Sequence, residues 1–259
     1  MKRKGLLTLM FGALAISALA SCGQTEPTST PSTTTGTATT PEVKVLSYTE
    51  YMAAEMNTEV TIEAYVQAKQ SWWSNKATLY LADEDGAYFV YQLQISEKDY
   101  NKLTEGTKIR VTGVKGKWSG EIEIMGSQAG AEATYEIITG DTYVSTVKEL
   151  TLSEDLTGYQ NQRVAFKNLT VVAQDDGVSA FYYKGGKVGD DLYFNVTDGT
   201  TTYTFVVESY LTDENSDVYK AVTSLKVGDV INLEGFLYWY KGPQLHTTKL
   251  EVVTPASTN

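Results

Sequence analysis

The side chains able to do chemistry in this 259-residue chain are few and unevenly placed. His246 is the sole histidine and Cys22 the sole cysteine, which excludes a two-histidine metal site, a two-histidine mechanism and an intramolecular disulfide. A serine hydrolase would have to use His246, yet no Gly-x-Ser-x-Gly elbow occurs. The run Asp83-Glu84-Asp85-Gly86 offers oxygens to a hard cation but lacks the spacing of a calcium loop, and it reads as a hairpin turn. Asp213, Glu214 and Asp217 read as a solvated loop. Lys184-Gly-Gly-Lys187 has phosphate-loop letters without the required Lys-Ser or Lys-Thr pair, and reads as a turn. No pair among the 32 acids is singled out by spacing for glycoside hydrolysis. The expectation is a protein that is not an enzyme, with no catalytic residues, no metal and no cofactor.

Aromatic residues interleaved with lysine are the stronger signal. Between Gln67 and Lys76 lie Lys69, Trp72 and Trp73; between Val114 and Ser119 lie Lys115, Lys117 and Trp118. These two stretches hold three of the four tryptophans and four lysines with no acid, in a chain of net charge −11. Further on, Phe181-Tyr182-Tyr183-Lys184 and Tyr238-Trp239-Tyr240-Lys241 repeat the combination, with Lys187 nearby. Aromatic faces stack on bases or sugar rings, and ammonium groups meet phosphate, carboxylate or hydroxyl oxygens. The same side chains would serve equally to close barrel ends or pack two domains, their lysine stems lying over the rings. Trp72 and Trp73 are neighbours, and neighbouring strand residues point to opposite faces, so at least one is expected at a surface or interface.

An internal repeat supplies the elements that must position these loops. Leu103, Gly106, Ile109, Val111 and Gly113 match Leu225, Gly228, Ile231, Leu233 and Gly235, with a further glycine seven residues on at Gly120 and Gly242. Upstream, each copy has an Asp-Gly turn, Asp85-Gly86 and Asp198-Gly199, and an earlier strand candidate, Val60 to Val66 and Arg163 to Val172. A helix capped by Ser96 separates turn from repeat in the first copy, and an insertion around Asp213 to Val218 lengthens the second. Ser47 and Glu50 form a capping-box pattern opening a helix through about Glu55, with Val147 to Leu150 as its expected counterpart, each plugging a barrel end.

The order of strand, loop, strand, turn, strand, helix and final hairpin is that of the OB-fold, a five-stranded Greek-key barrel. At these residues, and at the strand within Tyr159 to Val171, the chain resembles the extracellular OB-like domains of bacterial lipoproteins and secreted nucleases. The fold expected is all-β with minor helix: two tandem five-stranded OB-like barrels, residues 42–140 and 141–256, before a tail at 257–259. In an OB-fold the ligand lies on strands two and three, between the loop joining strands one and two and the loop joining strands four and five. The candidate ligand-binding residues are therefore Trp72, Trp73, Lys76, Lys115, Lys117 and Trp118 in one copy. In the other they are Tyr182, Tyr183, Lys184, Tyr238, Trp239, Tyr240 and Lys241.

The amino-terminal residues read differently. Lys2, Arg3 and Lys4 precede an apolar stretch from Leu6 to Ala20 that is short for a membrane span, as in a secretory signal. Leu19-Ala20-Ser21-Cys22 resembles the bacterial lipobox, which implies a signal at 1–21 and a lipid on Cys22. Residues 22–41 are dominated by Thr, Ser and Pro and read as a solvated, disordered tether. The mature chain would have no transmembrane helix and would be extracytoplasmic, anchored to a bacterial membrane by that lipid. It would keep 18 basic against 32 acidic residues, a net charge of −14, so any nucleic-acid role would need a locally basic face. The function expected is an anchored binding protein for an oligonucleotide or oligosaccharide. The alternative is an envelope protein that uses the same aromatics to meet a protein partner, and a nuclease accessory role is the third reading.

Overall fold

The computed structural model describes residues 43–128 and 131–257. The proposed signal, Cys22 and the tether lie outside the described residues. Those described form one unit that begins at Val43, and among them no helix is long and apolar enough to cross a membrane.

Helix α1 (Tyr48–Ala53) opens the unit, held at its start by the Ser47–Glu50 capping box. It closes sooner than the expected Glu55, and Tyr51 from its last turn is buried in the first core. Strands β1 (Glu59–Lys69), β2 (Lys76–Ala82) and β3 (Ala87–Gln94) follow as a meander, and then comes the short helix α2 (Glu97–Tyr100) with Ser96 as its N-cap. A long strand β4 (Thr107–Trp118) turns back into β5 (Glu121–Met125). Two-residue strands β6 (Ser127–Gln128) and β7 (Ala131–Glu132) lead to β8 (Thr134–Thr142), which adds to the free side of β4.

The second half begins with β9 (Lys148–Leu150) and a 3-10 turn at Leu156–Tyr159. Its strands are β10 (Arg163–Val172), β11 (Phe181–Tyr183), β12 (Leu192–Thr197), β13 (Thr202–Val207), β14 (Val230–Trp239) and β15 (Pro243–Thr254), with helix α3 (Asp217–Thr223) before β14. Val147 to Leu150 is thus not a helix. Its residues pair with β10 as a parallel strand, and the 3-10 turn supplies the plug, burying Leu156 in the second core.

The first sheet runs β1-β2-β3-β5-β4 and closes on itself through β1–β4 pairing. The second runs β12-β13-β15-β14-β10 and closes through β10–β12. In each, strands three and five are parallel and the other pairs antiparallel, which is OB-fold topology twice over. Alternation along the strands decides which faces are buried. Ile62, Leu79, Leu81, Val90, Ile109, Val111 and Ile124 point into the first barrel. Val164, Phe166, Phe194, Val196, Phe205, Ile231 and Leu233 fill the second. The repeat glycines mark tight approaches: a Cβ at Gly113 would strike Ile124 and Ala133, and one at Gly235 would strike the His246 carbonyl.

The barrels share a third apolar cluster, in which Tyr80 and Phe89 of the first meet Phe236 of the second. Polar contacts lock the same boundary. The two β4–β5 and β14–β15 hairpins pair where Gly120 meets Tyr240, and the Lys241 N–H donates to the Ser119 carbonyl at 2.6 Å. Buried Glu121 accepts from Asn161 Nδ2 at 2.6 Å and from the Trp239 N–H at 2.9 Å. On the other side the Ser71 N–H donates to the Tyr210 carbonyl at 2.7 Å.

Candidate ligand cleft between the barrels

The outward faces of strands two to five of both barrels meet around a cleft of about 830 Å³, within the range of small-molecule sites. Lys76 and Thr78 from β2, Phe89 and Tyr91 from β3, and Glu123 from β5 form one wall. Tyr193 from β12, Val206 from β13, Tyr238 from β14, and Gln244 and His246 from β15 form the other. Strand pleating explains the selection. On β3, Tyr88 and Val90 point into the core while Phe89 and Tyr91 point out, and on β12 Phe194 is inside and Tyr193 outside. The parallel pairing of strands three and five sets Glu123 beside Phe89 and His246 beside Val206.

Among the described residues six tryptophans and tyrosines are exposed: Trp73, Tyr91, Trp118, Tyr182, Tyr210 and Tyr240. All six line this cleft. Exposed aromatics scattered singly need no explanation, but their concentration on one concave surface marks an interaction site.

The loop residues expected to bind are divided by the structure. Trp73, 66% exposed, Trp118, 61% exposed, and Lys76, Tyr182, Lys184, Tyr238 and Tyr240 line the cleft. Trp72 does not; it packs against the first core and donates from Nε1 to the Ile95 carbonyl at 3.0 Å. Tyr183 and Trp239 pack against the second core, and Trp239 also lies against Gly120. Lys117 and Lys241 are exposed away from the lining. Lys115 is the clearest correction, because it is fully buried. Its ammonium donates to the Tyr51, Met52 and Ala54 carbonyls at 2.7–2.8 Å, satisfying the C-terminal end of α1.

Several cleft residues carried no sequence signal as a set: Glu123, Asp191, Glu208 and His246. Burial pushes Glu123 up to about 7. Burial also pushes Glu208 up to about 7, with Asp191 adding to the effect although Leu211 and Tyr210 N–H groups donate to it. Asp191 accepts from Ser209 and pairs with Lys184 at 3.4 Å. His246 is buried, stacked on Tyr238 with ring centroids 4.3 Å apart, and burial drives it down to about 3. Its Nδ1 lies 2.6 Å from the Tyr80 hydroxyl, which also accepts from Gln70 Nε2 at 3.3 Å. Burial keeps the His246 ring neutral, so one of its nitrogens donates and the other accepts, and Nδ1 is held by the Tyr80 hydroxyl. The alternating positions of outward residues on β5 and β15 would have pointed to Glu123 and His246 had the strand register been known.

The lining therefore carries two lysines, Lys76 and Lys184, against three carboxylates, with Lys184 already paired. The arrangement suits a ligand with ring faces to stack and many donors and acceptors to exchange.

No protein-family model matches the chain, and a search of curated proteins finds no match. Among solved structures it is similar to a murine DNA-binding protein bound with double-stranded DNA, at 12% identity and a TM-score of 0.36, covering 77% of this chain and 98% of that one. It is similar to the Ifi202 HINa domain in complex with 20-base-pair double-stranded DNA, at 18% identity and a TM-score of 0.33, covering 76% and 100%. A replication protein A heterotrimer bound to single-stranded DNA matches at 11% identity and a TM-score of 0.28, over 82% and 70%. Scores at this level do not assign a ligand, and the cleft itself is the ground for one.

Proposed function

We propose that this protein binds an oligosaccharide in the cleft between its two OB-like barrels and releases it unchanged. The observation that carries this is the gathering of all six exposed aromatic side chains of the described residues onto that one surface. Sugar rings present apolar faces to such side chains, while Gln70, Gln92, Gln244 and the cleft carboxylates supply polar partners for hydroxyl groups. With Lys184 paired to Asp191, and Glu123 and Glu208 part-ionised near neutral pH, the lining has no excess of positive charge to draw a polyanion.

The second reading is a single-stranded oligonucleotide, supported by Lys76 and Lys184 among the aromatics on OB ligand faces. Tryptophan fluorescence titrations separate the two. Neutral oligosaccharides should quench or shift Trp73 and Trp118 emission with little response to salt, whereas oligonucleotide binding should weaken steeply as salt rises. A signal from oligonucleotides alone would overturn the first reading, and recovery of cleaved sugar would overturn release unchanged.

The reading extends to location. The lipobox-like residues ending at Cys22 and the Thr/Ser/Pro-rich stretch after them support an anchored protein that holds its cleft away from a bacterial membrane, outside the cytoplasm. A Cys22→Ala form should leave the membrane fraction, and its retention after carbonate washing would count against the anchor.

A further inference from the structure

Glu123 stands apart from the other buried carboxylates in having nothing to bind. It is only 7% exposed, lies on the cleft wall, and meets no hydrogen bond or ion pair from the described protein. Glu121, two residues earlier on the same strand face, shows the usual solution, with both oxygens taken by the Asn161 amide and the Trp239 N–H. Lys184 is engaged by Asp191, and burial is the one influence that moves Glu123, so no protein cation offsets its charge. Phe89 is its direct neighbour in register, and its charge reaches the hydroxyls of Tyr91 and Tyr238.

A desolvated carboxylate among aromatic rings is the recognition chemistry of an organic cation. The carboxylate gives a charge-assisted hydrogen bond about twice as strong as a neutral one, and ring faces attract the same positive charge. A divalent metal would want more oxygens, and no cluster of three potential ligand residues occurs among the described residues. We infer that Glu123 anchors a ligand ammonium, so that the sugar bound in the cleft is an amino sugar with a free amine. This rests on the oligosaccharide reading of the cleft and specifies which member of that class fits.

Calorimetry with three tetramers of the same linkage tests it: glucosamine, N-acetylglucosamine and glucose, each at a pH where the free amine is charged. The glucosamine tetramer should bind about tenfold or more tighter than the other two, and Glu123→Gln should bring that ratio close to one. The glutamine is isosteric and removes a buried charge, so the variant should fold, and urea denaturation checks this. Equal affinities in the natural protein, or a preference that survives Glu123→Gln, would overturn the amine inference and leave the oligosaccharide reading standing. If none of the three binds, the oligosaccharide reading falls, and spermidine then decides the anchor. Binding of spermidine that is lost in Glu123→Gln upholds an ammonium site, and its absence overturns it.

Discussion

The Tyr80 hydroxyl of the first barrel lies 2.6 Å from His246 Nδ1 of the second, a buried hydrogen bond that crosses the domain boundary at the floor of the cleft. It joins a rigid aromatic stack, since Tyr80 also packs on Phe236 at 4.7 Å and His246 on Tyr238. Removing the hydroxyl with Tyr80→Phe leaves an imidazole nitrogen buried without its hydrogen-bond partner. A loss of about 1–3 kcal/mol in urea denaturation is expected. The imidazole carbon resonances should also stay those of a neutral ring from pH 8 to pH 4.

The pH dependence of stability has two opposing parts. Glu123 and Glu208 are raised to about 7 when folded. Their contribution is therefore full below the ordinary carboxylate value and is lost as pH rises through 7. His246 is lowered to about 3, so its contribution is present above the ordinary histidine value and falls away as pH drops toward 3. Carboxylates held low by partners, such as Glu63 beside Lys108 and Arg110, add to the loss in acid. Two carboxylates outweigh one histidine between roughly pH 7 and 4.5, so stability should peak on the acid side, near pH 4.5–5. In a Glu123→Gln, Glu208→Gln double variant the peak should move toward neutrality, and urea midpoints across pH 4–8 would reveal it.

The adjacent tryptophans should behave oppositely on substitution. Trp73→Ala removes an exposed ring and should change stability by no more than about 0.5 kcal/mol while weakening ligand binding about tenfold or more. Trp72→Ala removes a packed ring and its bond to Ile95, and should cost about 2–4 kcal/mol. Denaturation and fluorescence titration on the two variants give both numbers. Similar profiles would mean the cleft has been misplaced.

Lys115→Met should leave affinity for any cleft ligand unchanged. It should still lower stability by about 1–3 kcal/mol, because the Tyr51 and Met52 carbonyls of α1 and that of its C-cap, Ala54, lose their donor. Protease cleavage confined to residues near Tyr51–Ala54 would report the loosened helix.

Sequence period and turn chemistry were enough to read the barrels. The matched Ile109/Val111 and Ile231/Leu233 pairs are core residues, and the Asp-Gly turns join strands two and three as the letters implied. The expected first strand at Arg163 to Val172 has the observed limits. The cleft was legible only in its rim. Aromatic loop residues betray themselves by composition, whereas Glu123, Glu208 and His246 become neighbours through strand pairing and contact between barrels, which no local window contains. Lys115 misled for the same reason: a lysine in a binding-type loop looks free until a distant helix end, at Tyr51 to Ala54, is found to occupy it.

Hairpin pairing at Gly120 and Tyr240 gives the duplicated modules an unequal fate. Gly120 has φ of +109°, and a Cβ there would lie 2.4 Å from the Trp239 ring, whereas the matching Gly242 faces open space, so only the first loop tip is closed in by the other hairpin. Two copies that could each have presented a separate platform are thereby committed to one opening of set width. Selection by such a gauge acts on the thickness of what enters, and neither half excised alone would retain it.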